Sequence, residues 1–139
     1  MSYKLAVIGI GDLKQQDRGL SIHLLESLKR DFEQESIRFI NGGSDGKNLF
    51  AILKDIAAEK IMVLETAANN FEAGKLNYLL INFEQSANFA ELVLVTIEVA
   101  EIDWGSNLSS VMKAEYKEVL NSIKTVVDEL LSNSFSNHH

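Results

Sequence analysis

An apolar run that ends in two closely spaced glycines constrains this chain more than any other feature. Residues 5–8 read Leu-Ala-Val-Ile, and Gly9-Ile10-Gly11 follows directly. The run is long enough for one buried strand, and the glycines let the backbone turn tightly. After a polar loop, apolar residues recur at helical spacing from about Asp17. Strand, glycine turn, loop and helix open an α/β sheet, in which sites lie at the carboxyl ends of the strands.

Composition excludes several classes of protein. The 139 residues, 46% of them hydrophobic, suffice for one domain with a real core. We assign it to residues 1–131 and expect the polar tail, 132–139, to fray. A net charge of −7 disfavours nucleic-acid binding, and zero cysteines exclude thiolate chemistry. No stretch is long and apolar enough for a membrane span and no signal-peptide cleavage site is evident, so we expect a cytoplasmic protein without a membrane partner.

The rest of the chain continues the alternation of strands and helices. The pattern predicts strands at residues 4–8, 36–40, 60–64, 75–82 and 92–97, and helices at 17–31 and 108–131. A further helix between the second and third strands has the predicted apolar face Leu49, Phe50, Leu53 and Ile56, and the stripe of the last helix begins at Val111. These elements predict a three-layer α/β/α fold with a mostly parallel five-stranded sheet, whose strand 75–82 is an antiparallel edge.

Two glycine turns are candidates for binding. Gly9-Ile10-Gly11 resembles the start of a dinucleotide fingerprint, but Lys14 stands where the third glycine belongs and Asn41 where the ribose-binding acid belongs. A tight turn is favoured there over nucleotide binding. The second turn is Gly42-Gly43-Ser44-Asp45-Gly46. Its glycines either allow positive φ angles in a turn that precedes a helix with Ser44 as its N-cap, or they let the backbone of another chain approach closely.

Charged side chains gather at the same predicted edge of the sheet. Glu65 ends the buried third strand, and Asp12, Asp17 and Arg18 follow the first. A buried carboxylate requires a partner, water or a metal. These residues therefore indicate either a divalent-cation site or a hydrated edge with one ion pair. Trp104, in the loop before the last helix, is interpreted as a partly buried anchor.

In this order the pieces resemble the hydrogenase maturation endopeptidases, which trim the C-terminus of the large subunit of nickel–iron hydrogenase. The family opens with a strand and Gly-x-Gly-Asn, has a double-glycine turn after its second strand, and ends its third strand in Asp-Ala. The matching segments here are, in chain order, 9–12, 17–19, 41–46, 65–66, 74–80 and 92–131. The resemblance implies a maturation-protease-like fold, also described as phosphorylase/hydrolase-like, and a peptidase ancestry.

The departures from the family fall on its chemistry. The resemblance implies nickel held by an acid after the first loop, an Asp ending the third strand and a helical histidine. This chain has Arg18 at the first position, Glu65 at the second and no histidine between residues 80 and 92. Asn41 replaces the aspartate before the double glycine. Arginine cannot ligate a metal, so we expect no bound nickel, with Glu65 the only surviving candidate ligand.

The resemblance implies a maturation-protease-like protein with reduced or lost catalysis. The alternative is a non-catalytic binding or assembly factor for a hydrogenase or another metalloenzyme precursor. Nucleotide binding is a distant third. We expect the partner, such as a hydrogenase large-subunit precursor, to contact Asp12, Asp17, Arg18 and the turn at Asn41, Gly42, Gly43, Ser44 and Gly46. We also predict that Arg18 occupies the vacated cation position and pairs with Glu65.

Overall fold

The computed structural model describes residues 3–69, 71–85 and 88–135. The strands are β1 (Tyr3–Gly9), β2 (Ile37–Asn41), β3 (Ala58–Ala67), β4 (Leu76–Gln85) and β5 (Asn88–Glu98). The helices are α1 (Leu20–Asp31), α2 (Leu49–Asp55) and α3 (Ser110–Leu131), and a single 3-10 turn, Gln16–Gly19, precedes α1. The predicted order of elements is confirmed, with shifts at their ends.

The strands form one sheet in the order β2-β1-β3-β5-β4. The first four are mutually parallel, and β4 pairs antiparallel with β5 at the edge. Val7 pairs with Met62, and Met62 in turn pairs with Val93, so the apolar centres of the three inner strands are in register. The predicted mostly parallel sheet with one antiparallel edge strand is confirmed.

Helices cover both faces of the sheet, as residue alternation along β1 requires. Leu5 and Val7 face the larger core, which α1 and α3 close. Ala6 and Ile8 face the smaller core, which α2 closes. All four side chains are fully buried. A strand buried on both faces is typical of a parallel sheet between helical layers.

Two residues predicted to face the core are exposed instead. Phe50 is 74% exposed and Val111 is 50% exposed. In α2 and at its C-cap the inward positions are Leu49, Ile52, Leu53 and Ile56, a helical spacing from which Phe50 is displaced by one residue. In α3 the buried Met112, which the prediction missed, takes the inward position beside Val111.

The end of β3 differs from its predicted boundary, and the C-terminal segment contacts the rest of the fold. Glu65 lies within β3, two residues before its end, and does not terminate it. In the predicted tail, the Phe135 ring lies 6.1 Å from the Tyr78 ring, between centroids. Residues 136–139 are outside the described part of the chain. Within the described ranges, none of the helices combines the length and apolar character needed to cross a membrane.

Candidate functional site

The carboxyl end of β1 is joined to both of its neighbours by backbone hydrogen bonds. Gly42 N–H donates to the Gly9 carbonyl at 2.8 Å, and Gly11 N–H donates to the Gly43 carbonyl at 3.0 Å. On the other side, Ile10 N–H donates to the Leu64 carbonyl at 2.9 Å. The structure therefore brings the two glycine turns together at one edge of the sheet, where α/β folds place their sites.

Glycine is required in these turns for two different reasons. A Cβ atom on Gly11 would lie 2.2 Å from the Arg18 carbonyl oxygen, so any side chain there displaces backbone. Gly43 and Gly46 have φ angles of 90° and 71°, in the left-handed region that favours glycine. A Cβ on Gly43 would meet nothing within 4 Å, so the side-chain position of Gly43 faces open space.

Polar side chains of the predicted site mostly fix their own loops. The Asn41 side-chain oxygen accepts from Gly43 N–H at 3.0 Å, and the Asp12 carboxylate accepts from Lys14 N–H at 2.9 Å. Asp45 accepts from Lys47 N–H, and this bond, with the nearby Lys47 ammonium, lowers the pKa of the exposed carboxyl. Such local bonds stabilise turns.

The predicted N-cap role of Ser44 is wrong. Helix α2 begins at Leu49, and its N-cap is Asn48, whose side chain makes no capping bond. Ser44 is exposed and contributes its backbone carbonyl to the site instead.

Asp17 is fully buried and braces the connection between β5 and α3. One carboxylate oxygen accepts from Ser109 N–H at 2.7 Å. The other accepts from the Ser109 hydroxyl at 2.7 Å and from Glu101 N–H at 2.8 Å. Ser109 is the N-cap of α3, and its hydroxyl oxygen also accepts from Met112 N–H. A partner-binding role by direct contact was predicted for Asp17, but with 0% exposure its carboxylate acts within the fold.

Arg18 does not pair with Glu65, contrary to the prediction. Its guanidinium donates to the Gln15 side-chain oxygen at 3.0 Å and to the Ser44 carbonyl at 2.8 Å. Among the described residues, ion pairs within 4 Å join only Lys47 to Asp45 and Lys124 to Asp31. Arg18 therefore ties the loop after β1 to the second glycine turn.

The side chains at this edge do not fit a nickel ion. Glu65 is half-buried, and its carboxylate accepts from the Thr96 hydroxyl at 3.3 Å across β3 and β5. The Asp17 oxygens are occupied by three protein donors, and the neighbouring Arg18 is a cation that cannot ligate. In residues 3–69, 71–85 and 88–135, no three His, Cys, Asp or Glu side chains converge in a way that could hold a metal.

Two buried polar residues near this edge were missed from the sequence. Glu98, at the end of β5, is 1% exposed and accepts from Asn69 N–H at 2.7 Å, so it anchors the loop after β3. Ser109 is the second, through its bonds to Asp17. A carboxylate between Ile97 and Val99 is the one sequence signal that could have flagged Glu98, because buried charges need partners.

Exposed apolar side chains lie on three loops and on helix α2 at this edge of the sheet. They occupy the connections that follow β1, β3 and β5 and the start of α2; we call them the apolar rim: Leu13, Phe71, Ile102, Trp104 and Phe50. Trp104 is 75% exposed, so its prediction as a partly buried anchor is wrong. Backbone bonds between Gln16 and Gly105 and between Gly105 and Lys14 hold the Trp104 loop against the loop after β1.

Comparison with solved structures identifies the fold. NiFe hydrogenase maturation protease HycI from Thermococcus kodakarensis KOD1 superposes with a TM-score of 0.69 at 12% identity, over 94% of this chain and 93% of that one. Hydrogenase 2 maturation peptidase from Thaumarchaeota archaeon SCGC_AB-539-E09 gives 0.71 at 13%, over 90% and 98%. The E. coli endopeptidase HybD gives 0.69 at 14%, over 91% and 93%. The chain has the maturation-protease fold.

This similarity confirms the predicted resemblance at the level of the fold. No protein-family model matches the chain, and no curated protein sequence matches it significantly. At identities of 12 to 14%, the maturation-protease fold is kept while most side chains differ. A shared fold does not carry a function with it, so the activity of this chain depends on its own residues.

Proposed function

We propose that this protein is a maturation-protease-like binding factor for a metalloenzyme precursor and that it does not perform metal-dependent cleavage. The first candidate partner is the large-subunit precursor of a nickel–iron hydrogenase, since solved structures with this fold are named as hydrogenase maturation proteases. The carboxyl edge of the sheet supports this role, because it combines exposed apolar residues and an open position at Gly43 with polar side chains that already bond within the protein.

The apolar rim supports binding to a protein. Exposed aromatic side chains on loops are typical of interfaces, in which Trp commonly contributes much of the affinity. Trp104, Phe71 and Phe50 are each more than 60% exposed. The fold buries only the smaller part of their surface, and a partner that covers them would gain the transfer free energy of the exposed part.

The glycine turn supports recognition of an extended backbone. The side-chain position of Gly43 faces open space, while its N–H group donates to Asn41 and its carbonyl accepts from Gly11. A segment of another chain can approach this turn without meeting a side chain. The Arg18–Ser44 bond joins this turn to the loop after β1, which carries Leu13 of the apolar rim.

The committed polar groups argue against cleavage by a resident metal. A hydrolytic metal needs several protein ligands with an open coordination position. Here Asp17 has three internal donors, Arg18 spans two loops, and Glu65 has Thr96 as its partner. These residues therefore leave too few free ligands at this edge for a catalytic nickel ion.

A combined binding and cleavage assay tests the proposal. Nickel-loaded large-subunit precursor is incubated with this protein, and association and precursor length are followed by co-purification and mass spectrometry. We expect association without shortening, and Trp104→Ala should weaken association while the exposed control Lys117→Ala leaves it unchanged. Shortening of the precursor would overturn the non-catalytic part, and absence of association would overturn the choice of partner.

Nickel titration is the second test. We expect no stoichiometric binding at micromolar nickel. Stoichiometric binding that Glu65→Ala abolishes would show that the edge does hold the metal and would refute the proposed loss of the site.

A further inference from the structure

A groove of about 450 Å³ lies along the seam between α1 and α3, on residues that the proposed function does not use. Its lining combines cationic, hydroxyl and apolar side chains: His23, Glu26, Ser27, Arg30, Leu108, Lys113 and Tyr116. Sites for small molecules commonly have volumes of roughly 300–1,000 Å³ and a few fixed polar groups. The groove falls within this range.

A chain of hydrogen bonds fixes the polar wall of the groove. Tyr116 hydroxyl donates to the His23 carbonyl at 2.9 Å and lies 2.6 Å from the Ser27 hydroxyl. Ser27 in turn accepts from the Arg30 guanidinium at 3.4 Å. With Tyr116 donating to His23, Ser27 is the donor to Tyr116. The Arg30 head group is thus positioned by a neutral chain and keeps most of its donors for another acceptor.

Among the described residues, no ion pair balances the positive charge of this groove. Neither Arg30 nor Lys113 has a carboxylate within 4 Å in the described part of the chain. Asp31, next to Arg30 in sequence, is paired with Lys124 at 2.7 Å. Two cationic side chains therefore face one carboxylate, Glu26, in a chain whose net charge is −7.

We propose that this groove binds a small phosphorylated sugar or polyol. The guanidinium fork of Arg30 and the ammonium of Lys113 provide the donors that a phosphate monoester requires. Glu26 is an exposed acceptor in the same groove, and a carboxylate accepts hydrogen bonds from sugar hydroxyls. Leu108 and the Tyr116 ring supply an apolar wall for the carbon skeleton.

Calorimetric titration with ribose 5-phosphate, ribose and inorganic phosphate tests this site. We expect ribose 5-phosphate to bind more tightly than either fragment. Arg30→Gln should weaken its binding by about tenfold or more, since a hydrogen bond to a charged group is worth roughly that much. Lys117→Gln, an exposed lysine on α3 that does not line the groove, is the matched control and should change binding less than about twofold.

Glu26→Gln separates sugar recognition from phosphate recognition. Removing this charge should strengthen binding of inorganic phosphate and reduce the preference for ribose 5-phosphate over phosphate. Circular dichroism should show all three variants folded, because Glu26, Arg30 and Lys117 are exposed. The site is refuted if no ligand binds at millimolar concentration or if Lys117→Gln weakens binding as much as Arg30→Gln. Equal affinity for phosphate and ribose 5-phosphate would refute the sugar class.

Discussion

Removing the Asp17 carboxylate should destabilise the fold by an amount unusual for a residue in a loop. Three donors converge on it at 2.7 to 2.8 Å, two of them backbone N–H groups and one the Ser109 hydroxyl. Each hydrogen bond to a charged group contributes about 1.5–3 kcal/mol, and the three share one acceptor, so their contributions are not additive. We expect Asp17→Ala to cost about 4 kcal/mol.

Two further variants show how much each hydrogen-bond partner of Asp17 contributes to the free energy of unfolding. Asp17→Asn keeps one acceptor oxygen but turns an amide N–H₂ towards a backbone donor. We therefore expect a loss of about 2–3 kcal/mol in the free energy of unfolding. Ser109→Ala removes the hydroxyl bond and the N-cap of α3 and leaves two donors for Asp17, so about 1–2 kcal/mol is expected. A double-mutant cycle between Asp17→Ala and Ser109→Ala should show a coupling free energy of about 1 kcal/mol or more.

Urea denaturation followed by circular dichroism measures these differences in the free energy of unfolding. The midpoint temperature of thermal unfolding should fall by roughly 10 °C for Asp17→Ala. Asp12→Ala is the control, because Asp12 lies on the same loop and its carboxylate accepts one bond among the described residues, from Lys14 N–H. It should cost less than about 1 kcal/mol. If Asp17→Ala and Asp12→Ala are equally mild, Asp17 does not brace the fold, and a role in ligand binding becomes the better explanation.

Three other changes have defined outcomes. Gly11→Ala should destabilise more than Gly43→Ala in thermal denaturation, because its Cβ would meet backbone at 2.2 Å, whereas that of Gly43 meets open space and adds only the strain of a φ of 90°; equal losses would contradict this. Trp104→Ala should change stability by less than about 0.5 kcal/mol while weakening partner binding about tenfold, and a large loss of stability would show that the indole is packed. Burial raises the pKa of Tyr116, against the opposing Ser27 hydrogen bond, so the folded protein holds the Tyr116 hydroxyl proton more tightly than the unfolded chain does. The associated stability is present below pH 10 and declines as pH rises above it; a Tyr116→Phe variant that declines just as steeply in urea titrations from pH 9 to 12 would refute this.

Much of the site could be located from the sequence but not assembled. The convergence of the two glycine turns with Glu65 follows from strand order, because parallel strands bring their carboxyl ends to one edge. The predicted Arg18–Glu65 pair failed although both residues lie at that edge. Position along the edge is set by strands, but the direction of a guanidinium is set by loop acceptors such as Gln15 and the Ser44 carbonyl.

The sequence by itself determined the alternation of strands and helices, the antiparallel edge strand and the two glycine turns. These features depend on periodicity and on backbone freedom, which are local properties that neighbouring residues reveal. The predictions that Phe50 and Val111 face the core were wrong by one residue along the helix. In a short helix or a first turn, contact with the sheet alone decides which residues point inward.

Only the tertiary structure decided what the charged residues do. Asp17 finds its partners 84 and 92 residues away, and the Glu98 carboxylate finds Asn69 N–H 29 residues away. Whether such a carboxylate is an exposed ligand or an internal brace depends on which donors the loops bring to it. Loop paths are set by long-range backbone contacts that no local pattern encodes. These contacts bring Ser109 and Glu101 to Asp17, so its carboxylate stabilises the fold from within.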